Sequence, residues 1–320
     1  MSDAFTPDWL AARDRYDVAA LDRETIALLE AWARRQAADR PLRVVDLGCG
    51  TGTGLRRALG WLAGRSVEAY GVDADRRLLA RLSEAHAGSG PMAGQGGDAA
   101  VVEQRSGPVA GARARQVSVT PVLADVLAPL DRAGGPLDGT VDLVVAHAVA
   151  DLLPLDHFAE RVAALLRPGG CAHIALTYDG DMAFCPSDDP DLDSRVLDAY
   201  HRHMDRARAD RPTYGGSMAG RRLAGALTGA GLRVLRAAPS TWDVRAADGP
   251  VGRAVLDGLI GFVIGSVSGL GDLAAGQLER WEHARRTALA AGELQTRVRH
   301  VDVLATRPDA PMVHSAVASR

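Results

Sequence analysis

Apolar residues recur along the chain in two patterns, helix-like spacing and short continuous runs, which predict a sheet whose strands alternate with helices. Between residues 8 and 38 the apolar positions follow the 3.6-residue period of a helix. Short apolar runs rich in valine and alanine then recur, each followed by helix-like or turn-like sequence. They predict strands at 42–47, 67–72, 117–123, 141–146 and 171–177. Strands that alternate with helices are typical of a parallel, doubly wound α/β sheet.

The pattern changes after the fifth predicted strand. Residues 179–216 are expected to form an insertion with an acidic loop and a helix from about 190 to 208. Gly88 to Gly111, rich in Gly, Ala and Ser, is expected to form a mobile surface excursion between the second and third strands. The remaining predicted elements are a helix over 217–229, a strand over 232–238, two helices within 248–294 and a final strand over 297–306.

A glycine-rich turn follows the first predicted strand. Val44 to Leu47 is an apolar run that contains one acid, and Gly48, Gly50 and Gly52 alternate with small residues after it. Glycine permits a tight turn and lets a ligand approach the backbone closely. The G-x-G-x-x-G spacing of dinucleotide sites is absent in either register, and a phosphate-binding P-loop needs a lysine, which the chain lacks. What remains is the pattern D-x-G-x-G-x-G at the end of a strand.

This pattern resembles the first motif of the class I S-adenosylmethionine (SAM)-dependent methyltransferases, carried here by residues 46–52. The turn over residues 166–170, Leu-Arg-Pro-Gly-Gly, matches a second family feature just before the fifth strand. The resemblance implies an α/β, Rossmann-like, doubly wound seven-stranded sheet whose last strand is antiparallel, with helices on both faces. We expect residues 1–40 to form an N-terminal helical cap and residues 41–320 to form the methyltransferase domain, with helical insertions at about 179–216 and 248–294.

The expected cofactor is SAM, with S-adenosylhomocysteine (SAH) as its product. Asp73 ends the second strand about twenty residues after the glycine turn, where an acid accepts hydrogen bonds from ribose hydroxyls. The resemblance implies that Asp125 binds the adenine amino group, although a helix N-cap is the alternative. Asp46 is expected to orient the methionine end of SAM. The full set of expected cofactor contacts is Arg13, Asp46, Gly48, Cys49, Gly50, Asp73, Ala74, Asp125, Val126 and His147.

Two residues after the fourth strand are candidates for catalysis. His147 ends that strand and is the best general-base candidate, because an unperturbed histidine titrates near physiological pH. A histidine that only hydrogen-bonds SAM or the backbone is the alternative. Asp151 falls where many relatives carry a histidine beside the substrate, and a helix cap or a surface acid is its alternative. Substrate contact is expected from Tyr16, Tyr178, Phe184, His201 and Trp242, each of which could instead serve packing.

The acidic run at 188–193 invites a magnesium-diphosphate hypothesis, but Asp189 before Pro190 is also a good helix N-cap. His201 and His203 are two residues apart and point to different faces of a helix. We therefore expect no metal site.

Composition narrows the possible partners. A net charge of −3 and a pI of about 6.3 provide no broad basic field for nucleic acid. Three separated cysteines suit a reduced cytoplasm. The run from Leu259 to Gly271 is expected to be a buried helix, and no segment is expected to span a membrane. A homodimer through the helical insertions is a further expectation.

The expected function is methyl transfer from SAM to an O, N or C nucleophile of a small molecule, such as a specialised metabolite. One alternative is a non-catalytic SAM-binding protein that works through its helical insertions. Another is a different SAM-dependent group transfer on the same fold, such as aminopropyl transfer.

Overall fold

The computed structural model describes residues 6–62, 64–87, 100–102, 116–132, 135–206 and 215–309. The helices in these ranges are α1 (Pro7–Ala20), α2 (Arg23–Arg35), α3 (Thr53–Trp61), α4 (Arg76–Ala87), α5 (Leu155–Leu165), α6 (Pro190–Asp205), α7 (Ala219–Gly229), α8 (Pro250–Val267) and α9 (Gln277–Ala291). The strands are β1 (Leu42–Leu47), β2 (Val67–Asp73), β3 (Ala100–Val102), β4 (Val117–Leu123), β5 (Asp131–Arg132), β6 (Gly135–Pro136), β7 (Val141–His147), β8 (Leu166–Cys185), β9 (Arg233–Arg245) and β10 (Gln295–Thr306). Two short 3-10 helices lie at Ala150–Leu152 and Ala246–Asp248.

The main sheet has the order β3-β4-β2-β1-β7-β8-β10-β9. Strands β4, β2, β1, β7 and β8 are parallel, and β10 lies antiparallel between β8 and β9. The predicted Rossmann-like sheet of seven strands with an antiparallel last strand is therefore confirmed. The short strand β3 adds an eighth strand at the edge. It comes from the predicted 88–111 excursion, of which the rest lies outside the described residues, and β5 and β6 form a separate small hairpin.

Side chains of the central strands alternate between two packed faces, because successive residues of a strand point to opposite sides. On one face Val45 and Leu47 join a core cluster with α5 and α7. On the other face Leu42 and Val44 join a cluster with α2, α3 and α4. Strands covered on both faces read as continuous apolar runs, which is why the sequence located β1 and β7 well.

The helix α2 packs on the sheet and not in the cap that the sequence predicted for residues 1–40. Its side chains Leu29 and Trp32 lie in the same core cluster as Val44, and the Trp32 indole N–H donates to the Gly169 carbonyl at 3.0 Å. The apolar stripe of α2 contacts the sheet face directly, whereas α1 belongs to a different cluster. Of the two N-terminal helices, α2 packs on the sheet and α1 packs elsewhere, while the domain bounds 1–40 and 41–320 stay predictions.

A third core cluster forms the cap over one end of the sheet. It combines α1, α6, α8 and α9 with the extensions of β8, β9 and β10 beyond the parallel sheet. Residues 179–185, predicted as the beginning of a helical insertion, continue β8 and pair with β10. Strand β9 likewise continues past residue 238 to Arg245. The antiparallel partner β10 extends both strands, and such pairing depends on residues 50 or more positions away.

The helix α8 corrects one expectation. By length and composition alone it is long and apolar enough to cross a membrane, although no such segment was expected, and 39% of its 18-residue window is buried inside the protein. Its buried side contributes Val255, Leu256, Leu259 and Ile260 to the cap cluster. In this structure α8 is a helix of the cap.

The acidic run at 188–193 begins the helix α6. The Asp189 carboxylate accepts the Leu192 backbone N–H at 2.9 Å, as expected of an N-cap. Asp193 accepts the indole N–H of Trp281 at 2.8 Å and pairs with Arg285 at 3.0 Å. Asp189 therefore caps the first turn of α6, and Asp193 joins α6 to α9.

Candidate functional site

A cavity of about 550 Å³ lies at the carboxyl ends of β1, β2, β4 and β7. Ligands bind at this edge of a doubly wound sheet, next to the point where the strand order reverses, because the turns there diverge and leave a crevice. Strand β1 pairs with β2 on one side and with β7 on the other, so the cavity lies at that reversal. The helices α1, α3 and α4 and the segment after β7 supply its remaining walls.

The glycine turn shapes the floor of the cavity through three left-handed residues. Gly48, Gly50 and Gly52 have φ values of +69°, +55° and +84°. Residues with a Cβ rarely adopt such values. A Cβ on Gly48 would also lie 2.6 Å from Val149, which lines the same cavity. The turn therefore needs glycine for its conformation and for the close approach of the loop after β7.

Asp73 is held opposite the glycine turn by two backbone donors. Its Oδ2 accepts the Gly50 N–H at 2.9 Å, and its Oδ1 accepts the Asp75 N–H at 2.9 Å. Burial raises the pKa of Asp73, and these N–H groups partly oppose that rise. Each carboxylate oxygen keeps a second lone pair, so the side chain can accept further hydrogen bonds from a ligand.

Asp46 lies almost completely buried at the end of β1, with 1% of its surface exposed. Burial raises its pKa to about 8, although the nearby Arg57 guanidinium opposes this rise. Within the described residues its Oδ2 has no hydrogen-bond partner. A buried polar atom without a partner is costly, and it calls for a ligand group or a water molecule.

His147 is an unsuitable general base in this structure. Burial lowers its pKa well below the usual range, and His173 lowers it further. Its Nε2 lies 3.1 Å from Nδ1 of His173, while its Nδ1 has no partner in the part of the chain that the structure describes. The alternative given above, a neutral histidine that serves as a hydrogen-bonding group, fits this environment better.

Asp151 lies beside the cavity in the short 3-10 helix after β7. Burial raises its pKa to about 6, and the Arg13 guanidinium and a backbone hydrogen bond from Tyr178 act in the opposite sense. Its neighbours Leu152 and Leu153 line the cavity, whereas Asp151 itself is not part of the lining. A carboxylate with this pKa can accept a proton near neutral pH, so Asp151 is a better base candidate than His147.

The structure brings the predicted cofactor residues together. All ten lie in the lining of the one cavity: Arg13, Asp46, Gly48, Cys49, Gly50, Asp73, Ala74, Asp125, Val126 and His147. The Asp125 carboxylate also accepts the Leu127 N–H at 2.9 Å in a local turn, and no helix begins there. Cys49 is buried and faces the core below the turn as well.

The five predicted substrate residues are not in that lining. They lie in or beside the cap: the Tyr16 hydroxyl donates to Asp248 at 2.8 Å, and the Tyr178 hydroxyl lies 2.7 Å from His201. Phe184 packs on Trp281 with ring centroids 5.5 Å apart, and Trp242 packs on His300 at 4.8 Å. Their contacts fit the alternative role in packing, because these aromatic side chains form part of the core of the cap.

Arg57 is a cavity residue that the sequence reasoning missed. It lies one helical turn after Thr53 on α3, and both residues line the cavity. Its guanidinium pairs with Asp17 at 3.3 Å and Asp14 at 3.6 Å, which joins α3 to α1. Its Nη1 is buried and lacks a partner among the described residues. The 3.6-residue period counted from the glycine turn is the one signal that could have indicated it. The other lining residues not predicted are Leu10, Thr51, Thr53, Gly54, Asp75, Arg76, Arg77, Leu78, Ala148, Val149, Leu152 and Leu153.

Comparisons with known proteins give a partial structural likeness. No family model and no curated protein matches the chain. A candidate sarcosine dimethylglycine methyltransferase from Galdieria sulphuraria aligns at 16% identity over 89% of this chain and 85% of its own, with a TM-score of 0.42. A candidate methyltransferase from Bacillus halodurans aligns at 13% identity over 88% of this chain and 98% of its own, with a TM-score of 0.48.

A geranyl diphosphate C-methyltransferase from Streptomyces coelicolor, solved with Mg²⁺, geranyl-S-thiolodiphosphate and SAH, aligns at 13% identity over 90% of this chain and 76% of its own. Its TM-score is 0.40. Because these scores lie below 0.5, they carry no information about the activity of this chain. Its function must follow from the residues around the cavity.

Proposed function

We propose that the protein binds SAM in this cavity and transfers the methyl group to an O, N or C nucleophile of a small molecule. The observation that carries the proposal is the Asp73 carboxylate, fixed opposite the glycine turn at the end of β2. A carboxylate suits the two hydroxyls of a ribose and repels a phosphate. A nucleoside without a phosphate at this position is therefore the favoured ligand class.

The other end of the cavity suits the amino-acid part of SAM. Asp46 and His147 offer atoms without partners among the described residues, and these atoms can accept hydrogen bonds from an ammonium group. Arg13 and Arg57 line the same space and can pair with a carboxylate. Charges of both signs at one end of the cavity match a zwitterion.

Methyl transfer from a sulfonium is an in-line displacement at carbon, and SAM supplies the activated methyl group when bound. The chain contributes binding and orientation. Where the acceptor must lose a proton, the candidate base is the Asp151 carboxylate, which lies next to the lining residues Leu152 and Leu153 and has a pKa of about 6.

The acceptor is proposed to be a small molecule because the chain carries no excess of positive charge for nucleic acid. A cytoplasmic location is proposed because all three cysteines are free, and two of them are buried. The homodimer through the helical insertions stays a prediction.

The variant Asp73→Ala tests the assignment by isothermal titration calorimetry with SAM and SAH. Two hydrogen bonds to a charged group are lost, so we expect binding to weaken about 30-fold or more. Asp243→Asn removes a surface acid outside the cavity and serves as the control. Unchanged affinity in a folded Asp73→Ala protein would disprove the SAM assignment. SAM binding without SAH release on any acceptor would favour the non-catalytic binding protein.

A further inference from the structure

Three buried nitrogen and oxygen atoms without partners belong to two lining residues of the cavity and to His173, which contacts one of them. Among the described residues, Asp46 Oδ2, His147 Nδ1 and His173 Nε2 make no hydrogen bond. A Cβ placed on Gly54 would lie 3.2 Å from Asp46 Oδ2 and 3.3 Å from His147 Nδ1. The first two atoms therefore lie close to one point at Gly54, and Asp46, His147 and Gly54 all line the cavity, so a ligand group that reaches one of these atoms is near the other.

The orientation of His147 is coupled to His173 on the neighbouring strand β8. The imidazole rings are nearly perpendicular, at 89°, and their Nε2 and Nδ1 atoms are 3.1 Å apart. Trp61 packs on the two rings, with centroids 5.2 Å from His173 and 6.0 Å from His147. This packing holds both rings in place, so the hydrogen bond between them fixes the orientation of His147 in the cavity lining.

Both imidazoles are neutral near pH 7. Burial lowers the pKa of His173 to about 3 and that of His147 well below its usual range. The pair therefore has one hydrogen between the two nitrogens, and its position decides what His147 presents to the cavity. If Nε2 of His147 carries that hydrogen, its Nδ1 presents a lone pair. If Nδ1 of His173 carries it, the Nδ1 of His147 presents an N–H group.

A cationic ligand selects the first arrangement. An ammonium group has donors only, so it needs acceptors at both Asp46 Oδ2 and His147 Nδ1. An N–H group at His147 Nδ1 would point a donor at another donor. His173 can enforce the favourable form only by offering its own Nδ1 as an acceptor.

We propose that His173 is a positioning residue. It accepts the Nε2–H of His147 and thereby keeps the lone pair of His147 Nδ1 beside Asp46, where the ammonium group of the ligand binds. The role rests on the proposed function, since that ammonium group belongs to SAM. His173 itself is completely buried and is not part of the cavity lining.

Two substitutions at position 173 separate positioning from packing. His173→Asn keeps an acceptor near the place of Nδ1, whereas His173→Leu fills the site with an apolar side chain of similar size. We expect His173→Leu to weaken SAM and SAH binding about tenfold or more, since an ammonium contact worth at least 1.4 kcal/mol is lost. His173→Asn should retain near-wild-type affinity. His300→Leu, at another buried histidine outside the lining, is the matched control and should bind normally.

The tautomer of His147 is the decisive readout, because a purely structural role of His173 would not set it. Long-range ¹H–¹⁵N correlation spectra of the wild-type protein with SAH should show hydrogen on Nε2 and none on Nδ1. Signals that disappear in His147→Asn assign the resonances. An Nδ1–H tautomer in the complex would overturn the proposal, even if His173→Leu failed to fold.

The calorimetry distinguishes two kinds of failure. If the wild-type protein binds neither SAM nor SAH, the proposed function itself is wrong. If the wild-type protein binds and a folded His173→Leu protein binds equally well, the SAM site stands and the positioning role of His173 is wrong.

Discussion

Asp46→Asn should stabilise the ligand-free protein increasingly as the pH rises. The wild-type carboxyl is buried, and its pKa rises from 3.8 in the unfolded chain to about 8 in the folded protein. An acid whose pKa is raised on folding binds more protons in the folded state, so its contribution to the free energy of unfolding falls as the pH rises between those two values. Asparagine has a similar shape and does not ionise.

The size of the effect follows from the two pKa values. Between pH 5 and pH 8 the wild-type protein should lose at most about 4 kcal/mol of stability relative to the variant, at about 1.36 kcal/mol for each pKa unit. For 320 residues, an unfolding entropy of about 2.1 cal/mol/K per residue gives a shift in Tm of about 1.5 °C for each kcal/mol. The difference in Tm between the variant and the wild type should therefore increase by up to about 6 °C from pH 5 to pH 8.

Thermal melts of both proteins in matched buffers from pH 5 to pH 8 measure this difference. Asp243→Asn is the control, because the hydrogen bond with Arg245 lowers the pKa of Asp243, which is ionised in both states throughout this range. Its Tm difference from the wild type should not change with pH. The same constant difference for Asp46→Asn would refute the reasoning. Calorimetry should show weaker SAM binding by the stabilised variant, because it lacks the carboxylate for the ammonium group.

Two further substitutions test the scaffold of the site. Gly52→Ala should destabilise the protein by about 2–4 kcal/mol in urea denaturation, because Gly52 has φ +84° and its Cβ would collide with Leu82. Gly60→Ala, within the helix α3 that follows Gly52, has open space around it and should gain about 0.5–1 kcal/mol, so an equal response at both positions would contradict this explanation. Asp142→Ala should cost about 2–3 kcal/mol at pH 7, because it leaves the partly exposed Arg40 without the carboxylate that it contacts at 2.7 Å. Burial alone would raise the pKa of Asp142, but hydrogen bonds from Arg40, Arg43 and Arg167 outweigh it and lower that pKa. The stabilisation by Asp142 is therefore present above pH 3.8 and is lost as the pH falls through the lowered pKa. Urea denaturation at pH 7 and at pH 2.5 measures this, and an Asp142→Ala variant that lost the same free energy of unfolding at both pH values would contradict the explanation.

The inner strands β1 and β7 of the parallel sheet were predictable because each is buried on both faces. The predicted boundaries 42–47 and 117–123 agree with β1 and β4, and both strands end in turns marked by small or acidic residues. The same reasoning gave strands that were too short for β8 and β9. Their extensions have one exposed face, and they depend on antiparallel pairing with β10, more than a hundred residues away in the case of β8.

The cofactor side of the site was predictable and the opposite side was not. Asp46, Asp73 and Asp125 each follow a parallel strand, and parallel strands bring their carboxyl ends to one edge. The predicted substrate residues come from cap elements whose packing no local pattern determines. Tyr16 and Trp242 therefore lie in the aromatic core of the cap instead of the cavity.

By itself, the sequence determined the alternation of strands and helices, the glycine turn and the acids that follow the strands, since these depend on local burial and backbone conformation. Only the tertiary structure decided which side chains meet behind the turn. It brought the Arg57 guanidinium of α3 to the carboxylates of α1, and it brought His173 on β8 to His147 on β7. Such contacts depend on strand register and helix packing, which are set by interactions between residues that are distant in the chain. The same burial that raises the pKa of Asp46 also keeps both histidines neutral, and that environment exists only in the folded protein.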